Sequence, residues 1–119
     1  MNGSQPSVSV IIPTYNRAAL IGDAINSCLA QCSPAFAVDI LIVDDGSTDA
    51  TAAALREFEG RIRVIVLSAN QGRNRARNVG LSNATGRYVK FLDSDDVLVP
   101  GCLLIEVASA EEAEADMVI

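Results

Sequence analysis

Histidine is absent from all 119 residues. That removes imidazole acid–base catalysis, Ser-His-Asp triads and histidine-ligated zinc from this stretch of chain. No apolar run approaches the ~20 residues that a membrane span needs. The opening residues lack the charged-then-apolar order of a signal peptide. They read as a loose tail, residues 1–7, ahead of one domain over residues 8–119. The setting expected from this is cytosolic, with any membrane association of a longer protein on its cytosolic face. Cysteine is scarce, at Cys28, Cys32 and Cys102 only. Three thiols do not supply the four ligands of a structural zinc site, so buried reduced thiols are expected. Cys28 and Cys32 are four apart and would share a face on a helix. Positive charge is also short: nine Lys and Arg against fifteen Asp and Glu leave a net charge of −6. Such a chain repels nucleic acid and anionic membrane at long range, and no nucleic-acid partner is expected.

What is present is apolar. Half of the residues are hydrophobic and 20% are charged, a balance that excludes intrinsic disorder and fits a single core. Four runs rich in Val and Ile read as strands, over residues 8–12, 38–43, 63–67 and 88–92. Several are apolar on both faces, the habit of parallel strands covered on both sides. Helical patterns lie between them. One starts at Ile21 and carries the stripe Ile21, Ala24, Ile25, Cys28, Leu29. A second covers residues 48–58, with Ser47 as its N-cap and Asp49 in its first turn. A third covers residues 72–84 with Ala76, Val79 and Gly80 inward. A fourth begins near Pro100 and runs towards residues 111–114. Four strand–helix units in succession predict an α/β fold, a Rossmann-like parallel sheet of alternating β-α units. Residues 115–119 read as the start of a fifth strand, as though the chain were one part of a larger domain.

Ligands of open parallel sheets bind at the carboxyl ends of the strands. Each predicted strand here ends in polar residues: Pro13-Thr14-Tyr15-Asn16-Arg17, Asp44-Asp45-Gly46-Ser47-Thr48-Asp49, Ser68-Ala69-Asn70-Gln71-Gly72-Arg73 and Asp93-Ser94-Asp95-Asp96. In extended chain Asp93 and Asp95 point one way and Ser94 the other. Carboxylates this close repel, and a proton or a hard cation such as Mg²⁺ or Mn²⁺ relieves them; a solvated acidic turn ahead of a helix has the same composition. One of Asp44 and Asp45 can serve the loop while the other accepts a hydrogen bond from a ligand N–H. Tyr15 can stack on a base, and Asn16 is equally a helix cap. Of Arg73, Arg75 and Arg77, Arg77 is the one expected to reach the site.

Together these segments resemble family 2 glycosyltransferases of the GT-A fold. The matching stretches are Val10-Ile11-Ile12-Pro13-Thr14-Tyr15-Asn16, Val43-Asp44-Asp45-Gly46-Ser47-Thr48-Asp49, Asn70-Gln71-Gly72 with Ala76-Arg77-Asn78-Val79-Gly80, and Phe91-Leu92-Asp93-Ser94-Asp95-Asp96. The resemblance implies a nucleotide site made of Pro13, Thr14, Tyr15, Asn16, Asp45, Arg77 and Asp93, with Asp45 on the base, usually uracil. It implies Mn²⁺ or Mg²⁺ held by Asp95, with Asp96 as the competing ligand. The implied reaction moves a sugar from a nucleoside-diphosphate sugar, UDP-linked, to the hydroxyl of a saccharide, lipid or protein acceptor by inverting displacement. The family's catalytic base falls beyond residue 119. This chain therefore resembles the donor-binding half, which by itself would have little or no transferase activity. Two other readings compete. A phosphoacceptor receiver domain needs a lysine near the last strand, and Lys90 is the only lysine. A non-catalytic nucleotide-binding module would keep the loops and lack the reaction. A nucleotidyltransferase is disfavoured because residues 13–17 contain no glycine.

Overall fold

The computed structural model describes residues 7–32 and 37–112. Four strands and four helices alternate: β1 (Ser7–Thr14), α1 (Ile21–Leu29), β2 (Ala37–Asp44), α2 (Thr51–Arg56), β3 (Arg63–Val66), α3 (Arg73–Asn83), β4 (Tyr88–Phe91) and α4 (Cys102–Glu112). All strand pairings are parallel, in the order β3-β2-β1-β4. The alternation expected from the sequence is thus the fold observed. Ser7, read from sequence as tail, opens β1 and pairs with Ala37. The fifth strand expected over residues 115–119 lies outside the described residues.

The sheet is wound both ways from β1. The chain steps outward from β1 to β2 to β3, then crosses back to place β4 on the other side of β1. A crossover keeps its right hand only if the connecting helix changes face when the direction reverses. Accordingly α3 lies alone on one face, and α1, α2 and α4 contribute to the core on the other. The larger core joins Val8, Val10, Ile12, Ile40, Ile42 and Tyr88 to Ile25, Leu55, Leu103 and Val107. The smaller joins Ile11, Leu41 and Val43 to Ala76. Gly80 explains how α3 sits so close: a Cβ there would come 2.4 Å from Ile11 Cγ2.

Two expectations fail locally. The second helix is Thr51–Arg56, shorter than residues 48–58, and Ser47 does not cap it. Residues 45–48 are held in a loop instead. Ser47 N donates to Asp44 Oδ1 at 3.0 Å, and Ser47 Oγ accepts from Asn16 N at 2.9 Å. Asp49 takes over the turn by accepting from Thr51 N at 2.9 Å. Cys28 and Cys32 also part company, because α1 ends at Leu29; Cys28 is buried and Cys32 exposed. Burial pushes the Cys28 thiol up to about 12. No helix among the described residues is long and apolar enough to cross a membrane.

Candidate functional site

The turn from outward to returning winding falls between β1 and β4, and the carboxyl edge beside it opens into a cleft of about 230 Å³. Loops after all four strands line it: Pro13, Tyr15 and Arg17, then Asp45, then Asn70 and Gly72, then Ser94, with Arg73 and Ala76 from α3. Strand pleat decides which residues arrive. Ile11, Leu41 and Val43 face α3, so Pro13 and Asp45, two residues on, end on that face with the cleft. Thr14 and Asp44 belong to the opposite face. Asp44 is buried and serves its own loop through Ser47. Thr14 is also buried, and its Oγ1 has no hydrogen-bond partner.

Hydrogen bonds tie the loops together. Asp45 N donates to Thr14 O at 2.8 Å. The Asp45 carboxylate accepts from Gln71 N at 2.7 Å and Gly72 N at 3.0 Å. Gly46, with φ of 77°, brings the second loop against the third; a Cβ there would lie 2.7 Å from the carbonyl carbon of Ala69. Asn16 faces away from these partners, accepting on Oδ1 from Thr48 N at 2.8 Å and from Asp49 N at 3.3 Å. Neither Thr14 nor Asn16 is among the residues lining the cleft.

Beside the cleft lies the acidic turn after β4. One carboxylate oxygen from each of Asp93, Asp95 and Asp96 lies within 4.8 Å of the others, with Asp95 and Asp96 exposed. Hard oxygen donors at this spacing fit a small divalent cation such as Mg²⁺ or Mn²⁺. Arg77 stands over the Phe91 ring, 5.4 Å from its centroid, and meets Asp93 at 3.6 Å. Asp93 and Asp96 also border a cleft of about 470 Å³ along the outer side of β4, where Lys90 pairs with Glu106 at 2.8 Å.

The sequence expectation joined Pro13, Thr14, Tyr15, Asn16, Asp45, Arg77, Asp93, Asp95 and Asp96 in one region; Pro13, Tyr15 and Asp45 line the cleft, Arg77, Asp93 and Asp96 border the neighbouring one, and Thr14 and Asn16 line neither. It did not single out Arg73 or Ser94 for the cleft. The extended alternation expected at residues 93–95 does not hold, because β4 ends at Phe91 and residues 93–96 close a turn with Asp96 N donating to Asp93 O at 3.0 Å; that turn places Ser94 at the cleft. Arg73 sits at the start of α3, where a signal was available, since α3 follows the third polar loop directly.

Winding and cleft together define an α/β protein whose ligand-accessible edge is the carboxyl end of its sheet, with a cluster of three carboxylates beside it. The sequence profile described as Glycosyl transferase family 2 matches residues 9–119, and the chain belongs to that family. It is 38% identical over 115 residues to the succinoglycan biosynthesis protein ExoO of Rhizobium meliloti, covering 96% of this chain and 32% of ExoO. The crystal structure of Staphylococcus aureus TarS in complex with UDP-GlcNAc superposes with a TM-score of 0.83 at 34% identity, over 91% of this chain and 32% of that one. The mannosyltransferase PcManGT of Pyrobaculum calidifontis, in complex with GDP-Man and Mn²⁺, gives 0.76 at 30% identity over 87% and 32%. The chain therefore spans about a third of the length of these relatives. The fold is that of GT-A glycosyltransferases over this stretch, and nothing observed favours the receiver or non-catalytic readings.

Proposed function

We propose that this protein transfers a sugar from a UDP-linked donor to an acceptor hydroxyl, and that the described residues form the donor site. The observation that carries this is the adjacency of the three-carboxylate turn to a cleft holding Tyr15 and Asp45. In this reading Tyr15 stacks on the base against Pro13, and Asp45 accepts from its imide N–H. Arg17 and Arg73, at the same cleft, donate to the carbonyls that flank that N–H. A uracil presents a carbonyl on both sides of the imide, whereas guanine has an amino group on one side, so UDP fits this donor pattern better than GDP. Ser94 and Asp93 face the ribose, and Arg77 keeps Asp93 in place.

Asp95 and Asp96, with Asp93, are the proposed ligands of Mn²⁺ or Mg²⁺. When bound, the ion offsets charge that builds on the departing diphosphate as the bond to the sugar's C1 breaks, the condition for accelerating transfer. This chain's part is to fix the nucleotide, keep the carboxylates convergent and orient the sugar for a single inverting displacement. No residue described here is assigned as the acceptor's base. Binding of donor without transfer is the behaviour proposed for this polypeptide alone. We also propose a cytosolic setting, consistent with three cysteines that are all unpaired.

Calorimetry with UDP tests the donor reading. Binding should require Mn²⁺ or Mg²⁺ and should weaken at least about tenfold in Asp95→Ala. UDP binding that ignores both the metal and the substitution would overturn it.

A further inference from the structure

Asn16 is the only non-glycine residue with positive φ among the described residues, at 51°. Asparagine tolerates this region better than most side chains, but the conformation is still uncommon and needs support. The support comes almost entirely from the loop after β2. Asn16 Oδ1 accepts from the backbone N–H groups of Thr48 and Asp49, at 2.8 and 3.3 Å. Asn16 Nδ2 donates to Thr48 Oγ1 at 3.4 Å, and Asn16 N donates to Ser47 Oγ at 2.9 Å. The next two residues continue the seam: Arg17 N donates to Thr51 Oγ1 at 3.2 Å and Ala18 N to Asp49 Oδ2 at 3.4 Å.

These contacts bracket Tyr15. On its N-terminal side Thr14 O is held by Asp45 N at 2.8 Å. On its C-terminal side Asn16 is held at three atoms. The Arg17 guanidinium also donates to Tyr15 O at 3.4 Å and Asn16 O at 3.3 Å. The Tyr15 ring has no hydrogen-bond partner and is 39% exposed at the cleft. Its backbone is fixed on both sides while its ring stays open to a ligand. The loop that holds it is the one that carries Asp45.

From this we infer that Asn16 is a positioning residue for the donor base: it touches the neighbouring loop and not the nucleotide, and it sets the Tyr15 ring in register with the Asp45 carboxylate. The inference rests on the donor-site reading above. Its physical content is preorganisation. Ordering of the Tyr15 loop occurs on folding and is not charged to each binding event. The residue type follows from two demands at one position: a left-handed backbone, and a short side chain with an oxygen that two adjacent N–H groups can reach.

The test is UDP affinity in the presence of Mn²⁺, measured for the wild type first and then for Asn16→Ala, Asn16→Gly and Asn16→Asp. Quenching of tyrosine emission on UDP binding follows the ring itself, with Tyr15→Phe identifying its share. Hydrogen exchange at the Thr48 and Asp49 amides reports the seam independently of any donor. Asn16→Ala is expected to weaken UDP by about tenfold and to speed exchange at both amides. Asn16→Gly accepts the left-handed backbone without strain, so it stays folded if the alanine variant does not, and it too should weaken binding and speed exchange. Asn16→Asp keeps the accepting oxygen, and most of the affinity and protection should return. Equal affinity in wild type, alanine and glycine variants overturns the inference. An aspartate variant weaker than the alanine variant also overturns it, because that is the signature of an amide touching the anionic donor directly. Failure of the wild type to bind UDP with Mn²⁺ is a separate result, visible before any variant is made; it overturns the donor reading and this inference with it.

Discussion

Thr14 and Pro13 adjoin at the end of β1, yet the pleat sends them to opposite faces of the sheet. Pro13 lines the cleft, whereas Thr14 is buried on the other face with an unpartnered hydroxyl. A buried hydroxyl without a partner carries its desolvation penalty uncompensated, so removing it need not destabilise. Thr14→Val should therefore leave UDP affinity within about twofold and keep or raise stability by up to ~1 kcal/mol. Denaturant unfolding and UDP titration check both, and a large loss of affinity would show that the hydroxyl reaches the donor. Asp44 and Asp45 repeat the division one strand over. The sequence motif names both aspartates without saying which meets the cleft, and the alternation of the strand turns Asp45 to it and Asp44 to the other face.

The helices differ in how they meet the sheet, and α3 is the most demanding. Its buried contacts are Ala76 and Gly80, residues too small to stand it off from β1 and β2. A methyl group added at Gly80 would meet Ile11 Cγ2 at 2.4 Å and Val43 Cγ2 at 3.3 Å, and both side chains are fully buried. Gly80→Ala gains helix propensity but forces α3 outward, and overpacking of this kind costs about 1–3 kcal/mol. The expected outcome is a lower melting temperature and, since α3 begins at the cleft with Arg73 and Ala76, weaker UDP binding. Thermal unfolding followed by circular dichroism gives the first, and calorimetry the second. A melting temperature at or above that of the wild type would show that Ile11 repacks freely.

Across the whole molecule the two ends of the sheet differ in chemistry. The carboxyl edge carries the cleft and the acidic turn. At the amino edge, Asp39 gathers β1, β3 and the segment before β4. It accepts from Arg63 Nε at 2.9 Å and Nη2 at 2.7 Å, from Ser9 Oγ at 2.9 Å and from Thr85 Oγ1 at 3.0 Å. Burial alone would raise the Asp39 carboxyl, but the hydrogen bonds from Arg63, Ser9 and Thr85 and the Arg63 charge outweigh it and hold it below its ordinary range. A carboxyl depressed in the folded state stabilises fully above its unfolded value, near ~4, and loses that contribution as pH falls through the folded value. Wild-type stability should accordingly drop as pH is lowered below ~4. Asp39→Asn should start less stable at neutral pH and show a shallower acid slope. Urea unfolding across that range reads the slope directly, and parallel slopes would remove Asp39 from the account.

Much of this protein is legible without coordinates. Val- and Ile-rich runs separated by amphipathic segments dictate a parallel α/β sheet, because only burial on both faces satisfies such strands. The polar cluster after each strand marks the edge where a ligand sits. Local chemistry also marks the acidic turn, since three carboxylates within four residues repel one another and a proton, a cation or solvent must relieve them. Sequence alone does not separate Thr14 from Pro13, or Asn16 from Tyr15. Nor does it show that Ser47 serves the neighbouring loop rather than a helix cap, or that Ser94 and Arg73 enter the cleft. Those outcomes depend on which strands become neighbours and on the face that each side chain then meets. The contacts that settle them join residues some thirty positions apart, a separation over which local propensity has no influence.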